Sequence, residues 1–508
     1  MLLSGVIIVC FSSGCRTDFS FRPVKSSELR FSRDTVYLDT VFTGISSSTY
    51  TLKVYNITDD AVSIPSISLD NGENSNFRLN VDGMSGKSFL DVEILPKDSI
   101  YVYVETTAAI AELTSEKTQF LYEDKLHFAD VGKVTLLTLV QDAVFLYPEK
   151  DSEGLKEAIP IGIDDNGNTV GIEGFYLEDD ELIFSNEKPY VVYGFMGVPS
   201  GKTAVFEAGA RIYFHKNSGV IVAKDATMLV NGQPSADPIA LEGEVIFEGD
   251  RLEPLYDFIP GQWGAIWLTQ GSTQHQFNHA TIKNATVGIL MDYNDETPNP
   301  TLTLKNTQIH NSSAANLWAK TAHVYAENTV FGNAGQLSFY GNLGGKYIFN
   351  HCTFANYWNN GFRSTPAVLL DDYVRLNDNT DIIEPLEEAT FNNCIIEGNQ
   401  LVEFYVDKVG TGAFNFKLNH TALQFENSSK AITENPFFDL ENNTFYNQII
   451  RNATPAFVLP EENDMRISQE SDFILKGDVN IQVPVDLAGE NRTSPPDLGA
   501  YQHVIIED

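Results

Sequence analysis

The sequence has few basic residues, few cysteines and no internal hydrophobic run long enough to cross a bilayer. Lys and Arg together number 33 against 69 Asp and Glu, which gives a formal net charge of -36. A surface of that sign repels nucleic acid and anionic lipid headgroups, so we expect no nucleic-acid partner. Hydrophobic residues still make up 43% of the chain, which is typical of folded globular proteins.

Stretches with helical periodicity are scarce, which argues against a mainly helical fold. A chain of 508 residues is long enough for two or three domains. Gly, Asn, Thr, Tyr and Phe are common, and short alternating apolar runs recur between turn residues. This composition predicts an all-β protein.

The chain begins with the uncharged stretch MLLSGVIIVCFSSGC, whose apolar part is too short to span a bilayer as a helix. It predicts a secretory signal over residues 1–14. The motif SSGC, ending at Cys15, resembles a bacterial lipobox, in which the cysteine is acylated and the chain is cut just before it. The alternative is an uncleaved anchor with an incidental cysteine. Residues 15–27 are polar and predict a tether from the lipid to the first domain.

Two segments with different patterns follow the tether. Residues 28–145 contain runs of period two separated by turns about every ten residues, which predicts an antiparallel, immunoglobulin-like β-sandwich. Residues 146–187 are acidic and rich in glycine, and we interpret them as a connector that carries a hairpin or two.

Residues 188–430 consist of closely spaced apolar runs and contain a recurring eight-residue motif, of which AENTVFGN is one copy. Strands that follow one another without long crossovers cannot be parallel neighbours in an open sheet, but they can be successive sides of a coil. Aligned on their large apolar residue, the copies are spaced by 27, 22, 23, 42 and 27 residues; these residues are Ile282, Ile309, Phe331, Phe354, Ile396 and Leu423. A period of 22 to 27 predicts a parallel β-helix, and the interval of 42 is either two rungs or one rung with a long excursion.

Each copy also has a small residue two positions before the large one, so that both side chains point into the core. The small residues are Ala280, Thr307, Thr329, Cys352, Cys394 and Thr421. We therefore interpret the two cysteines as small core hydrophobes, with a disulfide or a reactive thiol as the alternatives. Residues 431–508 follow a looser pattern and predict a C-terminal cap on the open end of the coil.

The repeat presents one further polar position, directly before the small residue. It is occupied by His279, Asn306, Asn328, His351, Asn393 and His420, and the alternation predicts that this column faces solvent. Three interpretations are open: a hydrogen-bonding stripe for a neutral glycan, with His279, His351 and His420 as contacts, a weak metal site, or an ordinary solvated strand face. No histidine pair has the spacing of a closed metal site, and we expect neither metal nor cofactor. Tyr357 and Trp358 at a rung corner are the candidate sugar-stacking aromatics.

Several stretches resemble a family of bacterial surface proteins known as right-handed parallel β-helix repeat lipoproteins, common in Bacteroides-like bacteria. They are LRFSRDTVYLDTVFTG, KPYVVYGFMGVPSG, GQWGAIWL and PDLGAYQ, and the resemblance covers nearly the whole chain. It implies a right-handed β-helix and localisation in the cell envelope. The protein would be an outer-membrane lipoprotein held to the bilayer through acylated Cys15.

Many right-handed β-helices are polysaccharide lyases or glycoside hydrolases, so we searched for a catalytic group. Arg363, Asp371, Asp372 and Arg375 are the nearest approach to the base and acid cluster that such chemistry needs. No companion acid is evident on the neighbouring rungs. The favoured hypothesis is therefore a non-enzymatic binding or structural module for carbohydrate or a surface protein. The alternatives are a lyase or hydrolase built on these four residues, and a mechanical spacer.

Overall fold

A computed structural model describes residues 19–114, 117–164, 166–237, 240–377, 380–427 and 429–506. The predicted signal, and Cys15 with it, lies outside these residues. The chain divides between Asp142 and Ala143 into two compact units. The regular secondary structure of both is almost entirely strand, so the prediction of an all-β protein is confirmed. Within the described ranges, no helix has the length and apolar character needed to cross a membrane.

The first unit contains eleven strands: β1 (Arg22–Pro23), β2 (Leu29–Phe31), β3 (Thr35–Phe42), β4 (Tyr50–Asn56), β5 (Val62–Leu69), β6 (Phe77–Val81), β7 (Met84–Gly86), β8 (Ser88–Ile94), β9 (Ser99–Thr106), β10 (Gln119–Phe128) and β11 (Gly132–Gln141). Its helices are the short α1 (Ile110–Leu113) and 3-10 turns at Ser26–Glu28 and Gly72–Asn74. One sheet has the order β1-β5-β10-β11-β3 with β8 on β5, and the other β2-β4-β9-β6-β7. Alternate residues of both sheets, such as Val54, Val102 and Leu126, share one core.

The second unit begins with strands β12 (Val144–Leu146), β13 (Ala158–Ile163), β14 (Thr169–Tyr176), β15 (Ile183–Phe184), β16 (Tyr190–Val192), β17 (Phe195–Val198), β18 (Thr203–Glu207), β19 (Arg211–Phe214), β20 (Gly219–Val222), β21 (Thr227–Asn231), β22 (Val245–Gly249), β23 (Trp263–Leu268), β24 (His275–Lys283), β25 (Ala285–Asp292), β26 (Leu302–His310) and β27 (Ala315–Glu327).

It continues with β28 (Val330–Phe331), β29 (Leu337–Asn350), β30 (Thr353–Asn356), β31 (Val368–Asp371), β32 (Tyr373–Arg375), β33 (Asp381–Ile383), β34 (Leu386–Asn392), β35 (Ile395–Gly398), β36 (Phe404–Asp407), β37 (Phe414–Asn419), β38 (Ala422–Leu423), β39 (Tyr446–Asn447), β40 (Ile450–Arg451), β41 (Phe457–Leu459) and β42 (Asp464–Ile467). The helical pieces are α2 (Lys430–Thr433) and 3-10 turns at Pro254–Phe258, Pro436–Phe438 and Pro460–Glu462.

Most of these strands pair in parallel and fall into three columns, which the chain visits in the same order on each pass. Column A holds β16, β19, β22, the ends of β24 and β26, β28, β30, β35, β38 and β40. Column B holds β14, β17, β20, β23, β25, the first halves of β27 and β29, β31 and β36. Column C holds β15, β18, β21, the starts of β24 and β26, the second halves of β27 and β29, β34, β37 and β39.

The buried pair predicted from the repeat is confirmed, because all twelve side chains are fully buried in the core of column A. Phe354 pairs directly with Ile396, so the interval of 42 residues is one pass with a long excursion. The antiparallel pair β32–β33 is part of that excursion. Cys352 and Cys394 are free thiols in the core, where burial raises the pKa of Cys352. They act as small core hydrophobes, as one of the sequence interpretations predicts.

Two segments outside the main repeat pair with the columns or pack on them. The stretch expected as a connector with a hairpin or two contains one antiparallel hairpin, β13–β14, and β14 also pairs with column B. The C-terminal segment, residues 452–506, lies along the outer side of column A rather than on the open end alone. Its Phe473 and Leu498 pack against Ile395 and Ala422, whose side chains point outward from the strands.

Candidate functional site

The four residues proposed from sequence for catalysis do not form one site. Arg363 is buried and makes two bonds to the carboxylate of Glu403, at 2.9 and 2.6 Å. Its guanidinium also donates to the carbonyls of Thr365 and Asn356. Because its side chain is only 1% exposed, Arg363 is a buried structural cation and cannot meet a substrate.

Asp371, Asp372 and Arg375 each form hydrogen bonds or an ion pair with different partners. Asp371 accepts from Tyr340 and two further donors, whereas Asp372 accepts from the backbone of Val409 and Gly410, at 2.8 and 3.0 Å. Arg375 lies on the hairpin β32–β33 and pairs with Asp381 at 2.8 Å. The four weak candidates therefore bond to separate partners and do not converge, in keeping with the opposite faces to which neighbouring positions on a strand point.

The polar column before the buried pair is also placed differently from the prediction. All six of its residues have positive φ values between 45° and 53°, so they form a left-handed corner rather than a strand face. His351, Asn328 and Asn393 are at most 2% exposed. The C-terminal segment covers them: the backbone of Asp478 bonds to the Asn393 amide, and Arg492 donates to Asn328 at 2.7 Å.

Two of the five predicted glycan contacts, His351 and Trp358, are buried. His351 is buried, and burial lowers its pKa to about 3. His420 donates from Nδ1 to the Lys476 carbonyl at 3.0 Å. Trp358 is 8% exposed, and Tyr357 packs edge-on against Phe457, with its pKa raised by burial. His279, His420 and Tyr357 keep partly exposed side chains, and their proposed role in binding stays a prediction.

A different set of side chains is brought together on the outer face of column B. Successive strands place one large ring or leucine directly beside the next, in parallel register. All six are half-buried: Trp267, Leu290, Trp318, Tyr340, Leu369 and Tyr405. Two positions later the same strands carry a polar residue: Asp292, Lys320, Asn342, Asp371 and Asp407. We call these eleven residues the aromatic face.

Strand alternation explains why the aromatic face forms. In β27, Leu317 and Ala319 point into the core, so Trp318 and Lys320 must point outward. The same pattern of a large residue, a core residue and a polar residue recurs as LMD, WAK, YGN, LLD and YVD, beginning at residues 290, 318, 340, 369 and 405. This second repeat is readable in the sequence. It was missed because the alignment followed column A, whose strands lie elsewhere on the chain.

Hydrogen bonds fix the first part of the aromatic face. The indole of Trp267 donates to Asp292 at 2.6 Å, and Lys320 contacts the other oxygen of the same carboxylate at 3.0 Å. The Lys320 amine also lies 5.6 Å from the centroid of the Trp318 ring, within the range of a cation–π interaction. The charge of Asp292 is therefore balanced locally.

The second part is organised by two further carboxylates. Asp371 accepts from the Tyr340 hydroxyl at 2.6 Å, the Asn342 amide at 2.9 Å and the Leu343 amide N–H at 2.7 Å. Burial nevertheless raises the pKa of Asp371, and the neighbouring Asp407 adds to the effect. Burial also raises the pKa of Tyr340. These bonds hold the Tyr340 ring in a fixed orientation, 5.5 Å from the Trp318 ring.

The two ends of the aromatic face are covered. Trp267 packs beside Ile221 against Ile159 and Ile172 of the hairpin β13–β14. At the other end, the Tyr405 ring contacts Phe438 at 5.2 Å. Leu290, Trp318, Tyr340 and Leu369 form the open part between these covers.

A pocket of about 370 Å³ lies at the end of the same strands. Its walls include Thr321 and Gly345, which closely follow Lys320 and Asn342 of the aromatic face. Among the described residues, no group of three or more His, Cys, Asp or Glu is arranged to hold a metal ion. The chemistry available on this surface is thus ring contact, hydrogen bonding and charge.

Comparison with known proteins leaves the family of this chain open. No family model matches it, and no curated protein matches it. A family 123 glycoside hydrolase from Clostridium perfringens is 6% identical over 22% of this chain, with a TM-score of 0.16, and the match spans 26% of that protein. A family 87 α-1,3-glucanase from Streptomyces thermodiastaticus is 11% identical over 73% of this chain and 79% of its own, with a TM-score of 0.20.

A PapD-like domain of human CEP192 is 11% identical over 25% of this chain and 94% of its own, with a TM-score of 0.14. Likenesses at these TM-scores assign neither fold nor activity. The all-β architecture that the sequence resemblance implied is confirmed. Membership of the lipoprotein family stays a prediction.

Proposed function

We propose that this protein is a non-enzymatic, lipid-anchored module of the bacterial cell envelope that binds a glycan along the aromatic face. In this proposal the second unit is a right-handed parallel β-helix, supported by its three columns of parallel strands in constant order. The first unit is an immunoglobulin-like sandwich, supported by its two sheets around one core.

The observation that carries the proposal is the row of outward rings and polar groups on consecutive strands. A sugar ring has an apolar face and an edge of hydroxyl groups, so it fits an aromatic ring flanked by carboxylates and amides. The open part of the row, from Leu290 to Leu369, crosses four strands, a length of about 14 Å at the usual strand spacing. That length suits several sugar units of an extended chain.

Charge narrows the class of glycan. The aromatic face has three carboxylates and one lysine, and the whole chain carries a formal net charge of -36. Polymers of uronic acids or sulfated sugars would be repelled, so the ligand we propose has no acidic groups.

The best test measures glycan binding and glycan turnover on the same protein. In a glycan-array screen followed by calorimetry, we expect Trp318→Ala to weaken the affinity for the bound glycan by at least about tenfold, because the stacking ring is lost. Tyr103→Ala removes an exposed ring from the first unit and serves as the matched control, with no change expected.

Equal affinities for Trp318→Ala and the parent protein would contradict the proposal. Release of reducing sugar or unsaturated product by the parent, lost in Asp371→Asn, would replace the binding module by a hydrolase or lyase.

A further inference from the structure

The pocket beside the aromatic face is connected to it through short bonds. Leu343 donates to the Asp371 carboxylate at 2.7 Å, and its carbonyl accepts from the Thr321 hydroxyl, also at 2.7 Å. Glu384 donates its N–H to the carbonyl of Asp372, which directly follows Asp371 of the aromatic face, at 3.0 Å. Thr321 and Glu384 both line the pocket, so a ligand on the aromatic face would have the pocket at its side.

The walls of the pocket are negatively charged overall. Glu296, Glu384 and Glu387 line it, against one basic side chain, Lys346. The Lys346 amine lies 3.7 Å from the carboxylate of Glu388, which offsets its charge. His323 forms part of the wall, and burial lowers its pKa, with Lys346 acting in the same direction. Both effects disfavour the positively charged form of the imidazole.

We infer that the pocket is a subsite for a protonated amino group on the bound glycan, as in a polymer of glucosamine. This inference rests on the proposed function, because the aromatic face holds the glycan chain while the pocket receives the substituent. A volume of about 370 Å³ accommodates one sugar unit or a substituted side group. Carboxylates at its rim attract a cationic amine and repel a uronate.

The test compares oligosaccharides that share a backbone and differ only in charge. Oligomers of β-1,4-linked glucosamine and their N-acetylated counterparts are titrated into the purified full chain at slightly acidic pH, where the free amines are protonated. We expect the amine-bearing oligomer to bind about fivefold more tightly or better, an effect of the size of two partly exposed charge pairs.

In the double variant Glu384→Gln and Glu387→Gln, this preference should fall to within about twofold, while binding of the N-acetylated oligomer stays unchanged. The matched control is Glu461→Gln with Glu462→Gln, which removes the same charge from an exposed 3-10 turn in the C-terminal segment. This control variant distinguishes binding at a specific subsite from the general attraction of a polycation to an acidic protein. We expect the control to keep the preference.

Each outcome bears on a different claim. Equal affinity for the two oligomers, or a preference lost equally in the control variant, would overturn the subsite while leaving the aromatic face as a glycan site. Binding of neither oligomer nor any other glycan on the array would overturn both.

Discussion

At the scale of single residues, burial decides the chemistry of the acidic groups. Glu397 is 2% exposed, and one of its carboxylate oxygens has no hydrogen-bond partner among the described residues. Burial, together with the nearby Glu403, raises its pKa to about 8. Glu403 itself forms an ion pair with Arg363. The negative charge of Glu403 is therefore balanced by a cation, whereas Glu397 has no such bond to Arg363.

The raised pKa of Glu397 predicts a pH-dependent stability. Between its ordinary pKa near 4.5 and about 8, the folded protein holds a proton that the unfolded chain has lost. The free energy of unfolding should therefore decrease as the pH rises through this window. Glu397→Gln keeps the shape and removes the charge, so we expect it to flatten this slope and to be more stable than the parent at pH 9.

Urea unfolding at a series of pH values measures this effect. Glu461→Gln, at an exposed position, is the control and should keep the slope of the parent. Parallel pH profiles for Glu397→Gln and the parent protein would contradict the prediction.

At the scale of elements, the left-handed corners join the strand columns to the C-terminal segment. Asn393 has a φ of 53°, and its amide both accepts from the N–H and donates to the carbonyl of Asp478, at 2.6 and 3.0 Å. Its own carbonyl accepts from the N–H of Gly499 at 2.8 Å. A single corner residue thus holds two distant parts of that segment.

Substitutions of Asn393 should separate backbone strain from hydrogen bonding. Asn393→Gly keeps the left-handed backbone but loses the side-chain bonds, whereas Asn393→Ala loses the bonds and adds strain. We expect both variants to speed amide hydrogen exchange around Asp478, and the alanine variant to be less stable by about a further 1 kcal/mol. Unchanged exchange in both would show that the corner does not hold the C-terminal segment.

At the scale of the whole molecule, the proposal joins a glycan site to a membrane anchor. The anchor depends on the lipobox-like sequence at Cys15, which lies outside the described residues. We expect Cys15→Ser to move the protein from the membrane fraction to the soluble fraction of its host and to leave glycan affinity unchanged. Persistent membrane association of the variant would contradict the lipid anchor.

The sequence predicted the interior of this protein better than its surface. The repeat predicted that Phe354 and Ile396 are buried, and their direct pairing follows from the same alignment. The sequence did not show what surrounds the weak catalytic candidates: the partner of Arg363, Glu403, lies 40 positions along the chain and belongs to another pass. No local pattern shows that such a pair will meet.

The sequence by itself determined the strand content, the buried pair of each repeat and the free, buried cysteines, because alternation along a strand is a local property. Only the tertiary structure decided which outward positions meet solvent. The C-terminal segment buries His351 and Asn393, while Trp318 and Tyr340 stay open on column B. The reason is physical: a strand fixes which side a residue faces, but a distant part of the chain decides what covers that side.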